Sequence, residues 1–152
     1  MPLLRLPKAS IISADVKCRT DFVFLALILA QATHSIEECM ARLYEVFAPA
    51  RFLSGMISRN HAFGFIFLNI CLVTFGLWCW AVPVRSHWRS AVGLIWFWTI
   101  LELFNGCRHI MFAAERKGYF PGVATAPILL FFASWLALLQ NREAGQPSML
   151  RP

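Results

Sequence analysis

The sequence has little charge, and the charge that it has is one-sided. Charged residues make up 14% of the 152 residues and hydrophobic residues 59%, whereas an average soluble domain is about a quarter charged. The formal net charge is +6. Its basic residues lie at the ends of apolar stretches, where membrane orientation and anionic headgroups account for them. This composition argues against an ordinary soluble domain, and we expect no nucleic-acid partner.

The sequence also lacks the short motifs that mark several soluble enzymes. It has no glycine-rich phosphate loop, no nucleophile elbow and no His-Glu-x-x-His helix. Those absences leave nucleotide hydrolysis, serine-type hydrolysis and zinc-protease chemistry without a sequence signature. The five cysteines are odd in number and include no C-x-x-C pair, so a disulfide framework is not indicated.

Long apolar runs are present instead. They cover residues 22–32, 62–84, 90–114 and 123–139, and the first continues as a predicted helix towards residue 47. A membrane-spanning helix needs about 20 mostly apolar residues. We therefore predict an all-α membrane protein, a four-transmembrane-helix up-down bundle over residues 21–140, with an interfacial segment or a long loop between helices 1 and 2. Residues 1–20 are predicted to be disordered or interfacial, and residues 141–152 a disordered tail.

Two further features concern the orientation and the beginning of this bundle. If the N-terminus is cytoplasmic, eight Lys and Arg residues face that side and six face the other, which slightly favours cytoplasmic termini. Alternatively, Arg19, the apolar residues 22–29 and the residues Ala30-Gln31-Ala32 resemble a signal peptide with its cleavage site. The long leader before the apolar core argues against cleavage.

The first span contains a polar cluster, in which His34, Glu37 and Glu38 are ionisable. Each such side chain at the centre of a membrane helix costs about 2.5–3.5 kcal/mol on insertion scales, so the cluster needs a functional reason. At about 100° per residue, one helix face presents all three side chains. The structural alternative is a solvated helix end, in which Glu38 pairs with Arg42.

An up-down bundle brings this cluster to polar residues of the other spans. Helices 1 and 3 end, and helices 2 and 4 begin, at one membrane face. The residues gathered there are His34, Glu37, Glu38, Asn60, His61, Glu102, Asn105, His109, Tyr119, Pro121, Gly122 and Thr125, and most of them are polar. On the third helix the side chains of Glu102, Asn105 and His109 share a stripe about 60° wide, and Arg108 points about 120° away from it.

Histidine and carboxylate side chains on facing helices build buried metal sites, and they also suit acid/base catalysis. The catalytic candidates are His34, Glu37, Glu38, Asn105 and His109. The candidate ligands of a divalent metal, Zn²⁺ or Fe, are His34, Glu38, Glu102 and His109. The candidates for lining a substrate pocket are Tyr119, Pro121, Gly122, Thr125 and His61.

In these residues the chain resembles a family of small bacterial and archaeal membrane proteins named after its H-x-x-E-E motif. The resemblance rests on residues 34–38, on an N-x-x-x-H motif from Asn105 to His109, and on a Y-x-P-G motif that begins at Tyr119. It implies an integral, multi-pass membrane protein of unknown function, here in the bacterial inner membrane. A looser similarity of design, without matching motifs, is to sterol isomerases of the emopamil-binding type.

Three functions are consistent with this pattern. The leading hypothesis is a membrane-embedded enzyme that acts on a membrane lipid or another lipophilic small molecule by metal-dependent or acid/base chemistry. The second is a protein that binds or transports protons, metal ions or a ligand. The third is an accessory membrane subunit without catalysis, in which the polar clusters only pair helices. An oligomer is compatible with all three.

Overall fold

The computed structural model describes residues 8–144, with side chains from residue 15 onward, and this part of the chain consists of helices joined by short turns. The helices are α1 (Lys8–Met40), α2 (Leu43–Val46), α3 (Ala48–Ile57), α4 (His61–Cys79), α5 (Ala91–Arg116) and α6 (Ala126–Ala144). A π-helical segment, Trp80–Val84, extends α4 and contains Pro83, which cannot continue a regular α-helix. The all-α prediction is confirmed for these residues.

Local chemistry explains where the helices begin and end. α1 contains neither Pro nor Gly, and the chain leaves it at Arg42, which adopts a left-handed conformation with φ 54°. Pro49 lies in the first turn of α3, where a missing N–H breaks no helical hydrogen bond. Asn60 caps α4, because its side-chain oxygen accepts a hydrogen bond from the Phe63 N–H at 3.2 Å.

The main core lies among α1, α5 and α6. α6 packs against both α5 and α1. α4 packs against α1, and α3 packs against α4. Phe24 and Leu27 of α1, Trp98 of α5, and Leu129 and Leu136 of α6 are fully buried in this core. α4 and α5 make few contacts with each other. The arrangement therefore leaves room for a cavity between α5 and the α2–α4 side of the protein.

Two helical stretches, Asp15–Met40 and His61–Val84, are long and apolar enough to cross a membrane, judged by length and composition. The second has a mean hydropathy of 2.1 in its most apolar window, yet only 17% of that window is buried. Phe67, Ile70 and Trp78 are among its exposed side chains. Apolar surface of this extent is typical of a helix that contacts lipid or another protein.

The helices extend beyond some of the boundaries that the sequence suggests. Residues 8–20, predicted to be disordered or interfacial, form the beginning of α1, and they contain no Pro or Gly that would interrupt a helix. α6 likewise continues to Ala144, past the predicted beginning of the tail at residue 141. Residues 1–7 and 145–152 lie outside the described residues. The segment between the first two predicted spans is not a loop: it forms α2 and α3, and Phe52 and Met56 of α3 are exposed.

Candidate functional site

His34 and Glu38 of α1 and His109 of α5 form one buried cluster. Glu38 Oε1 lies 3.4 Å from His34 Nε2 and 3.0 Å from His109 Nε2, and the three side chains are at most 7% exposed. The two imidazole rings meet edge to face, with centroids 4.7 Å apart. One ligand atom from each residue lies within 4.8 Å of the other two, so the cluster can hold a metal ion.

The turn before α6, residues 121–125, contacts Nδ1 of each histidine, the ring nitrogen that is not beside Glu38. His109 Nδ1 donates to the Pro121 carbonyl at 2.5 Å, and His34 Nδ1 lies 2.7 Å from the Thr125 hydroxyl oxygen. Gly122 has φ 91°, and a Cβ at this position would lie 2.6 Å from His109 Nδ1 and 2.8 Å from His34 Cε1. Only glycine fits between the two rings with this backbone.

Glu37 faces this turn and not the histidines. Its Oε1 accepts hydrogen bonds from the Tyr119 hydroxyl at 2.7 Å and from the N–H groups of Gly122 and Ala124 at 3.2 and 3.1 Å. Its Oε2 accepts from the N–H and the hydroxyl of Thr125 at 2.9 and 2.6 Å. A carboxylate that accepts backbone hydrogen bonds at a helix beginning is an anchor. Glu37 is therefore a positioning residue in this geometry. Partial burial and this bond to Glu37 raise the pKa of Tyr119 to about 12.

The contacts at Nδ1 determine which ring nitrogen of each histidine carries the hydrogen. A carbonyl oxygen only accepts, so His109 Nδ1 must be protonated. The Thr125 hydroxyl donates to Glu37, so its oxygen accepts the hydrogen of His34 Nδ1. In a neutral ring each Nε2 is then an acceptor, and both Nε2 atoms lie beside Glu38 Oε1. Three acceptors converge, an arrangement that a bound cation or added protons must stabilise.

Glu102 is fully buried but is not part of this group. It lies at the end of a hydrogen-bonded chain in which Gln31 Nε2 donates to Ser35 Oγ at 3.1 Å and Ser35 Oγ donates to Asn69 Oδ1 at 2.6 Å. Asn69 Nδ2 donates to the Phe65 carbonyl at 3.0 Å, which sets the direction of the chain.

The direction of this chain favours a protonated Glu102. The amide oxygen of Gln31 faces Glu102 Oε2 at 2.8 Å, so the contact is a hydrogen bond when Glu102 carries a proton. Rotating the Gln31 amide would serve an ionised Glu102, but its oxygen would then face Ser35 Oγ. The single hydrogen of Ser35 is already donated to Asn69. Glu102 thus belongs to a second polar chain, and the geometry does not support its predicted role as a metal ligand.

A cavity of about 240 Å³ opens beside the cluster. Glu38, Asn69, Asn105, Arg108 and His109 supply its polar lining. Its other walls are apolar and come from α2 to α5 and the chain around them: Leu43, Phe47, Pro49, Ala50, Leu53, Phe65, Leu68, Phe112 and Phe120. The metal-ligating candidates therefore border a largely apolar space.

The residues predicted to line a substrate pocket lie outside the cavity. Tyr119, Pro121, Gly122 and Thr125 do not line the cavity and instead hold Glu37 and the two histidines. His61 is not brought to the site and lies in a separate surface groove formed with α3.

The sequence interpretation missed the polar chain of Gln31, Ser35 and Asn69. Its signal was present on α1, because residues 31, 34, 35 and 38 recur at the spacing of one helix face. Two amides and a hydroxyl on that face of an apolar helix point to a buried network. Nothing in the sequence showed that Asn69, on a different helix, would complete it.

Comparison with protein families matches residues 25–136 to the family of proteins of unknown function with an HXXEE motif. No curated protein and no solved structure matches the chain. The matched region contains the cluster, the turn before α6 and the cavity lining. Because it covers well over half of the sequence, the chain belongs to the HXXEE-motif family.

Proposed function

We propose that this protein is a membrane-embedded, metal-dependent enzyme that acts on a lipophilic substrate. The observation that carries the proposal is the convergence of His34 Nε2, His109 Nε2 and Glu38 Oε1, three acceptors facing one point. Two histidines and a carboxylate are the ligands of several catalytic zinc sites, which keep a further position open, and similar sets bind non-haem iron. A metal ion held there supplies Lewis-acid chemistry.

The surroundings of the two histidines support this role. Histidine ligands of metals almost always donate their other N–H to a carbonyl, a carboxylate or water, which fixes the ring and its tautomer. His109 donates to the Pro121 carbonyl, and His34 donates to Thr125, which is itself bonded to Glu37. The H-x-x-E-E motif thus combines two functions: Glu38 is a ligand, and Glu37 orders the turn that orients the ligands.

A four-span bundle in the membrane is part of the proposal. α5 has 26 residues and α6 has 19. At 1.5 Å per residue these helices are about 39 and 28 Å long, comparable with a hydrocarbon core of about 30 Å. α3 exposes Phe52, Leu53 and Met56, which suits a helix lying in the membrane interface. The apolar cavity beneath it suits a substrate that enters from the lipid.

A second candidate is a metal-free acid/base enzyme. The observation that favours it is the buried polar chain of Gln31, Ser35 and Asn69 that ends at the fully buried Glu102. Added protons at the histidine cluster would satisfy the same three acceptors that a metal ion would.

Elemental analysis of the purified protein in lipid nanodiscs separates the two candidates. We expect stoichiometric Zn or Fe in the wild type and its loss in His34→Ala and His109→Ala. His87→Ala is the matched control, because His87 precedes α5 at the end opposite His109, and it should keep the metal. No metal above background in the wild type, even after metal loading, would overturn the metal-dependent proposal.

A further inference from the structure

Arg108 lines the cavity without a counter-ion in the described part of the chain. Its guanidinium carbon lies 4.6 Å from the centroid of the Phe47 ring, 5.3 Å from that of Phe104 and 5.6 Å from that of Phe112. Among residues 15–144 no carboxylate forms an ion pair with it. Other arginines do find partners, as Arg19 does with Asp15 at 2.9 Å.

Aromatic rings stabilise only the faces of a guanidinium group. Its N–H donors lie in the plane and match the two oxygens of a carboxylate or a phosphate. The Arg108 side chain makes no hydrogen bond to the described residues, so its guanidinium donors remain free for a ligand. The apolar walls around the cavity strengthen the attraction for an anion, because they lower the local dielectric constant.

The cavity also has an apolar route to the surface. Leu53 of α3 lines it and is itself 52% exposed. At about 240 Å³, the cavity is smaller than the 300–1,000 Å³ or so of most small-molecule sites, so it suits a headgroup and the first part of an acyl chain. The rest of a chain would leave past Leu53 towards the lipid.

We infer that Arg108 binds the anionic headgroup, a carboxylate or a phosphate, of a long-chain amphiphile that is the substrate of this site. The inference rests on the proposed function, because it places the substrate's polar end beside Glu38 and His109. The acyl chain lies along Leu53 and the aromatic walls. Arg108 is then a substrate-binding residue and not a metal ligand.

Binding to the full-length protein in zwitterionic nanodiscs tests this inference. The probes are a fluorescent long-chain carboxylate, a lysophosphatidate and the corresponding long-chain alcohol. We expect Arg108→Gln to weaken binding of both anionic probes about tenfold or more, the equivalent of one charge-assisted hydrogen bond, and Arg108→Lys to weaken it less. Arg116→Gln is the matched control, because Arg116 lies on the same helix over Phe120 but does not line the cavity.

The alcohol should bind equally to the wild type and to Arg108→Gln, since it has no charge to lose. Equal affinity of both proteins for the anionic probes would overturn the inference, as would a wild type that binds neither of them. Displacement of the probes by inorganic phosphate alone would identify a free anion as the ligand and would also overturn it. Metal content measured on the same samples reports separately on the proposed function, because Arg108→Gln removes no proposed ligand.

Discussion

Replacing Gly122 by alanine should disrupt the site through a single added methyl group. The new Cβ would lie 2.6 Å from His109 Nδ1 and 2.8 Å from His34 Cε1, well inside van der Waals contact. Neither ring can move away freely, because each is held by a hydrogen bond through its Nδ1. The backbone adds strain, since φ at this position is 91°.

The size of the effect can be worked out from these two terms. A left-handed backbone costs an L-residue about 1–2 kcal/mol, and overpacking by a methyl group costs about 1–3 kcal/mol. Their sum is about 2–5 kcal/mol, which corresponds to a fall of about 4–20 °C in melting temperature for a domain of this size. We also expect loss of bound metal, because the displaced rings no longer aim both Nε2 atoms at Glu38.

The assay is thermal unfolding and metal content of the purified protein in one detergent. Gly93→Ala is the matched control: a Cβ there meets nothing within 4 Å, and alanine favours the helix by up to about 1 kcal/mol. It should melt at or slightly above the wild-type temperature. If Gly122→Ala has the melting temperature of the wild type and keeps its metal, the close approach of the turn to the histidines is wrong.

Three further predictions concern single carboxylates and hydroxyls. Glu37 accepts five hydrogen bonds, so Glu37→Gln should lower the free energy of unfolding by about 1–2 kcal/mol after solvent screening. Glu45→Gln is the control, because it breaks only an exposed 3.4 Å ion pair with Arg42. Equal melting temperatures of the two variants would contradict this prediction. In a Tyr44→Phe protein, Tyr119 is the remaining tyrosine and its phenolate absorbance should appear near pH 12. Because its folded pKa is raised, its stabilising effect is complete below about pH 10 and is lost as the pH rises through about 12; a midpoint near pH 10 would refute this. Glu102→Gln mimics a protonated acid, so it should leave the melting temperature unchanged. It should also remove one carboxylic-acid carbonyl band from the infrared spectrum at neutral pH. Absence of that band in the wild type would refute the protonated state.

Much of the helical organisation could be predicted from the sequence, because it depends on local patterns. The apolar runs at residues 62–84, 90–114 and 123–139 correspond to α4 with its π-helical extension, α5 and α6. Helix phase placed His34 and Glu38 on one face, since residues four apart lie one turn apart. Bundle topology predicted that His109 would come to the same end, and the structure brings it to 3.0 Å from Glu38.

The different roles of neighbouring residues could not be predicted in this way. Glu37 and Glu38 look equivalent in the motif, yet one bonds to the turn before α6 and the other to the histidines. Arg108 looked like a residue pointing away from the site, yet it lies over the Phe47 ring and lines the cavity.

Sequence pattern thus determines which stretches are helical and which side chains share a helix face, because residues three or four apart lie on the same side of a helix. Tertiary structure decides which atom faces which. His34 Nδ1 meets Thr125 across 91 residues of chain, and that contact determines which nitrogen of the ring is left to bind a cation. Hydrogen bonds depend on distance and angle within a few tenths of an ångström, and only the packing of the turn between α1 and α5 sets those values.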